Sequence, residues 1–141
     1  MSGEALEAYA RFFEGLTQAN AGGLAALATP DLRFKDPFND FCDRDRLIRL
    51  FTHMFDKLDE PRFIVRDRAM GATAGYLRWT FTFRVKGRPQ AWSIEGMSEV
   101  AFDAAGLVTS HIDHWDAGEQ FYEKLPVLGA LMRVVKRRMA D

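Results

Sequence analysis

Apolar residues recur at helical spacing over 4–20, where Leu6, Tyr9, Ala10, Phe13, Leu16 and Thr17 share one face. The stretch NAGG at 20–23 stops this helix, and a short helix is expected over 23–28. Pro30-Asp31 should break the chain, after which LRFKDP (32–37) reads as a short strand ended by Pro37. The clearest helix covers 43–58, capped by Asp43 or Asp45, with Leu47, Ile48, Phe51, Met54, Phe55 and Leu58 as its buried stripe and Pro61 beyond its end.

From residue 62 the period changes to two. A strand is expected over 62–71. A second covers 73–86, in which Leu77, Trp79, Phe81, Phe83 and Val85 alternate with Tyr76, Arg78, Thr80, Thr82 and Arg84. After a turn at Lys86-Gly87-Arg88-Pro89, a third covers 90–103, with Trp92, Ile94, Gly96, Ser98, Val100 and Phe102 on one face. The other face carries Ser93, Glu95, Met97 and Glu99. The turn Asp103-Ala104-Ala105-Gly106 leads to a last strand over 107–115, then a helix from about 117 and an amphipathic helix from Pro126 to about 139. Helices gathered at one face of hairpin-linked strands give an α+β class, and a curved antiparallel sheet wrapped on the N-terminal helices would enclose a cavity.

Composition narrows the partners. At 141 residues, 48% of them hydrophobic and 12 of them Phe, the chain suits one folded domain over 1–141. A net charge of −1 predicts no nucleic-acid partner. With the single cysteine, Cys42, neither an intrachain disulfide nor a Cys-rich metal site is possible. The N-terminus lacks a signal-peptide pattern, and no apolar run approaches the roughly 20 residues that span a bilayer, so a cytoplasmic location is expected.

The densest chemistry is HIDHWD at 111–116. If the last strand turns His111, Asp113 and Trp115 inward, then Ser110, Ile112 and His114 face outward, and a slip of one residue reverses this. An inward His111 and Asp113 lie two apart on one face, where a carboxylate orients an imidazole and the pair can move a proton on a ligand. The alternative is a satisfied structural pair, or groups paired with an arginine such as Arg33. A metal is disfavoured because His111 and His114 point to opposite faces and His53 lies on the polar side of its helix.

Four stretches, NAGGLAAL, LRFKDP, FDAAGLVTSHIDHWD and EQFYEKLPVLGAL, make the chain resemble the nuclear transport factor 2-like superfamily, in its SnoaL-like branch, with ketosteroid isomerase a more distant relative. The resemblance covers nearly the whole chain and implies a cone-shaped α+β fold. It puts Asp36, before Pro37, at the position of the isomerase general base, and Asp113 nearest the last-strand acid/base of the cyclases. At the isomerase's two oxyanion-hole positions this chain has Gly15 and Ser98 or Gly96, neither a phenol nor an acid. Tyr9 lies on the apolar helix face about a turn and a half too early to replace the phenol. The resemblance also implies a homodimer.

The expectation is therefore an internal pocket for a small hydrophobic molecule, polycyclic or aromatic, without metal or organic cofactor. Asp113, His111 and Asp36 are the candidate catalytic groups of an isomerase, cyclase or dehydratase. Trp79, Trp92, Trp115, Phe81, Phe83, Tyr9 and Ser98 are the candidate ligand contacts, although large aromatics also serve simply as core. Asp36 could equally cap the Pro37 turn, and Asp116 is expected as a helix cap or ion-pair partner. For the C-terminal helix a lid or a packing role, including dimer packing, is preferred to rest on an anionic membrane. The rival to the whole reading is a non-catalytic binding or dimeric interaction module with a filled interior.

Overall fold

The computed structural model describes residues 3–140. Helix α1 spans Gly3–Glu14 and is followed by a 3₁₀ helix, Ala21–Ala26. Strands β1 (Ala28–Lys35) and β2 (Asp40–Cys42) precede helix α2 (Arg44–Lys57). Strands β3 (Leu58–Met70), β4 (Gly75–Val85), β5 (Ala91–Phe102) and β6 (Val108–His114) come next, then α3 (Ala117–Gln120), a 3₁₀ turn at Tyr122–Lys124 and α4 (Pro126–Met139). The strands form one curved open sheet in the order β2-β1-β6-β5-β4-β3. All pairings are antiparallel except β1 with β6, which run parallel.

Helix α1 stops well short of the expected residue 20. The Asn20 side-chain Nδ2 donates to the Gly15 carbonyl at 2.8 Å, taking the acceptor a continuing helix would use, while Asn20 Oδ1 accepts from the Thr17 backbone amide at 2.7 Å. Thr17, expected on the buried face, is consequently exposed. Pro30-Asp31 does not break the chain but lies within β1, where the β1–β6 pairing shifts register between Ala28 and Arg33. A proline needs no ladder partner there.

Asp43 caps α2, accepting from the Arg46 amide at 3.1 Å. Leu58 no longer belongs to that helix. The chain passes directly into β3, which absorbs Pro61 at an irregularity between Asp59 and Arg62, with Glu60 at φ 50°. On the concave side, Leu6, Tyr9, Ala10 and Phe13 of α1 and Leu47 and Phe51 of α2 pack with Leu77, Trp79, Ile94 and Val100 of the sheet. Phe13 sits edge-on to Phe51, Phe63 and His111 at 5.5–5.6 Å, so the core is aromatic where the two helices meet the strands.

Helix α4 is packed the opposite way from a core helix. Its Gly129 lies so close to the Glu123 carbonyl that a Cβ there would sit 2.0 Å from it, and Arg133 and Lys136 hold Glu123 on the same side. The apolar stripe of Val127, Leu128, Leu131, Val134, Val135 and Met139 points away and is 39–84% exposed. No α4 side chain reaches the cavity, so α4 is not its lid. No helix of the described chain is long and apolar enough to cross a membrane.

Candidate functional site

The β5–β6 hairpin fixes the parity of the last strand. Asp103 Oδ1 accepts from the amides of Ala105 and Leu107 at 2.9 Å, pinning the turn. The register then pairs Val100 with His111 and Ser98 with Asp113. His111 is buried and Asp113 half-buried, both facing the concave side, whereas His114 is exposed and lies 3.5 Å from Glu99 on the outside.

These inward groups join a hydrogen-bonded line across three strands and α1. The Tyr9 hydroxyl lies 2.6 Å from His111 Nδ1, and His111 Nε2 lies 2.7 Å from Asp113 Oδ1. The same Oδ1 accepts from the Ser98 hydroxyl at 2.5 Å, and Ser98 accepts from the Trp79 indole N–H at 2.8 Å. The proton count selects one arrangement. Asp113 is the acceptor at one side of the ring, so Nε2 carries hydrogen, and Nδ1 is left to accept from Tyr9. With hydrogen on Nδ1 as well, the buried Tyr9 hydroxyl would face a second donor, and its own hydrogen would lose its partner. Tyr9 is held as a donor: its phenol is pushed well above the usual 10.0, first by burial and then by the Asp113 charge.

Gly96 makes room for this line. It pairs with Trp79 across β4 and β5, and a Cβ on it would lie 2.6 Å from the indole and 2.9 Å from the His114 carbonyl. The bare backbone therefore lets the Trp79 ring lie where its N–H meets Ser98.

Next to the line is a cavity of about 230 Å³. Its wall includes Phe34, Phe51, Phe63, Trp79, Phe81, Phe83 and Trp115, with Leu50, Met54 and Ile94, and Asp113 projects into it. A smaller recess of about 20 Å³, reaching Phe13, Ser98 and His111, continues it inward. At the surface end Phe38 packs against Trp115 and Phe121 at 5.7 Å each. The lid is therefore the α3 segment with its Phe121, held by the Asp116 cap on the Glu119 amide at 3.0 Å and by Gln120, which bonds both the amide and the carbonyl of Glu95.

The remaining candidates separate. Trp92 lies beyond Phe83, stacked on it at 6.0 Å and against Phe121 at 5.9 Å, and lines a shallow groove with Asp59 and Glu60 instead of the cavity. Asp36 reaches the cavity rim, but its Oδ1 accepts from the amides of Phe38 and Asn39 and from the Asn39 side chain at 2.7–3.1 Å, which is the turn-cap geometry. Arg33 pairs with Asp40 at 3.1 Å and not with Asp113. Among the described residues, no three His, Cys, Asp or Glu side chains converge as a metal site would require. Phe38, Phe63 and Phe121 were not among the expected ligand contacts. Phe63 could have been found from its inward parity on β3; the other two follow turns that fold back on the mouth.

The chain has relatives among known proteins. A curated steroid Delta-isomerase of Nocardioides simplex is 26% identical over 119 residues, covering 84% of this chain and 95% of that protein. Among solved structures, an epoxide hydrolase of M. tuberculosis superposes with a TM-score of 0.72 at 18% identity over 96% of this chain and 98% of its own. A candidate SnoaL-like polyketide cyclase from a Jannaschia species gives 0.70 at 14% identity, over 81% and 86%. These structural likenesses establish the fold. The model of the SnoaL-like domain matches residues 9–111, most of the chain and both ends of the Tyr9–His111 contact, and the chain belongs to that family.

Proposed function

We propose that this protein binds a small hydrophobic molecule in the aromatic cavity and catalyses a cofactor-independent acid/base conversion of the isomerase or cyclase type. The observation that carries this reading is the Asp113 carboxylate, fixed through Oδ1 by Ser98 and His111 while it borders an apolar cavity. Among the described residues no protein group hydrogen-bonds Oδ2, which is therefore available to take a proton from a ligand. His111 and Tyr9 act behind it as positioning residues that hold the carboxylate and answer its change of charge. The SnoaL-like domain and the steroid Delta-isomerase relative support this class of activity.

The test is a turnover screen of 3-oxo-Δ5-steroids, polyketide esters and terpene epoxides, with Asp113→Asn in parallel. The reading expects conversion of at least one class and its loss in the variant. Conversion that survives Asp113→Asn, or none in any class, contradicts it.

The non-catalytic alternative is favoured by one observation, the uncovered apolar stripe of α4. In that reading the partner is a second copy of this chain. Sedimentation should then show a dimer that Leu131→Glu dissociates.

A further inference from the structure

The chemistry of the cavity wall specifies the charge of what it holds. Four lining side chains carry hydrogen-bond donors: Trp79, Ser98, His111 and Trp115. Trp79 is spent on Ser98, and Ser98 and His111 are both spent on Asp113. Only the Trp115 indole N–H, near the mouth, has no protein partner among the described residues. The lining is therefore poor in free donors for a bound anion, which would find the Trp115 N–H alone.

Acceptors are in surplus. Asp113 offers Oδ2, Asp36 adds a second carboxylate at the rim, and no lysine or arginine lines the cavity. The rest of the wall is mostly aromatic, with Phe63 and Phe81 stacked on each other at 4.3 Å and Phe34, Trp79 and Trp115 among the other rings. Rings carry negative charge on their faces and attract a desolvated cation, and a carboxylate among them adds a counter-charge.

We propose that the cavity selects a small hydrophobic cation, a protonated amine or a quaternary ammonium, whose charge lies against Asp113 among the aromatic walls. The inference rests on the reading of this cavity as the ligand site, and it narrows the ligand from hydrophobic to hydrophobic and positively charged.

Calorimetric titration with three aromatic probes of similar size tests this: benzyltrimethylammonium, acetophenone and phenylacetate. The wild-type protein is expected to bind the cation at least about tenfold more tightly than the neutral ketone, and phenylacetate most weakly. Asp113→Asn should lose about tenfold in affinity for the cation while its binding of acetophenone is not weakened, since the new amide N–H can donate to the ketone. Acetophenone or phenylacetate binding as tightly as the cation overturns the inference, as does no binding of any probe. The wild-type ranking stands even if the variant fails to fold. Turnover of a neutral steroid lost in Asp113→Asn, without selection for the cation, would contradict this inference and leave the acid/base reading in place.

Discussion

The Tyr9 hydroxyl stands 2.6 Å from Nδ1 of His111, closing a contact between α1 and β6 across 102 residues of sequence. It fixes the imidazole from behind while Asp113 holds it from the front at 2.7 Å. Both ring nitrogens are thus satisfied in a buried site, and the carboxylate at the cavity has a single orientation.

Removing the phenol breaks this clamp. Tyr9→Phe leaves the buried Nδ1 without a donor and should destabilise the protein by about 1–3 kcal/mol in urea unfolding. Turnover should fall with it, because the imidazole is then free to rotate away from Asp113. Unchanged stability would mean that Tyr9 is only packed against the ring.

Alkaline pH should show the same residue by a different route. The folded-state value of Tyr9 is raised above the ordinary 10.0, so below pH 10 both folded and unfolded chains keep the proton and stability does not depend on it. As pH rises past 10 the unfolded chain ionises and the folded one does not. Stability then falls by up to about 1.4 kcal/mol per pH unit, and continues to fall until the folded-state value is reached. Tyr9→Phe should flatten this limb. A parallel decline in wild type and variant would assign it to other groups.

Gly96 should tolerate no side chain while Trp79 faces it. Gly96→Ala places a methyl 2.6 Å from the indole and should cost about 1–3 kcal/mol, with the Trp79 fluorescence altered as its N–H leaves Ser98. Pairing it with Trp79→Leu should restore part of the loss, as a double-mutant cycle would show.

The two carboxylates should behave differently. Asp113→Asn keeps an oxygen for Ser98 and His111 and should hold stability within about 1 kcal/mol, yet lower turnover about 10²–10⁴-fold. Asp36→Ala removes the turn cap, should cost about 1 kcal/mol, and should leave turnover near wild type. A large loss of turnover from Asp36→Ala with stability retained would make Asp36 the base.

Much of this architecture could be read from residue patterns. The period-two runs mark β4 and β5, but the inward parity of His111 and Asp113 follows only from laying the last hairpin on the pattern of the family it resembles, and the register of β5 against β6 has them inward. The Tyr9 contact was not legible, because it depends on where α1 ends. Asn20 stops that helix by bonding back to Gly15, and a count along an assumed longer helix puts Tyr9 too far from the site. Strand β2 has three residues, too few to show a period, and the parallel β1–β6 pairing leaves no local signal at all. Pro30 in isolation looks like a break. Only the register shift of β1 against β6 makes it compatible with a strand.

The most direct measurement is the ¹⁵N shift of both His111 ring nitrogens at neutral pH, assigned against His111→Gln. Hydrogen is expected on Nε2, facing Asp113, with a bare Nδ1 accepting from Tyr9 and an Nδ1 resonance that moves in Tyr9→Phe. Hydrogen found on Nδ1, or an Nδ1 indifferent to the loss of the Tyr9 hydroxyl, would contradict this arrangement.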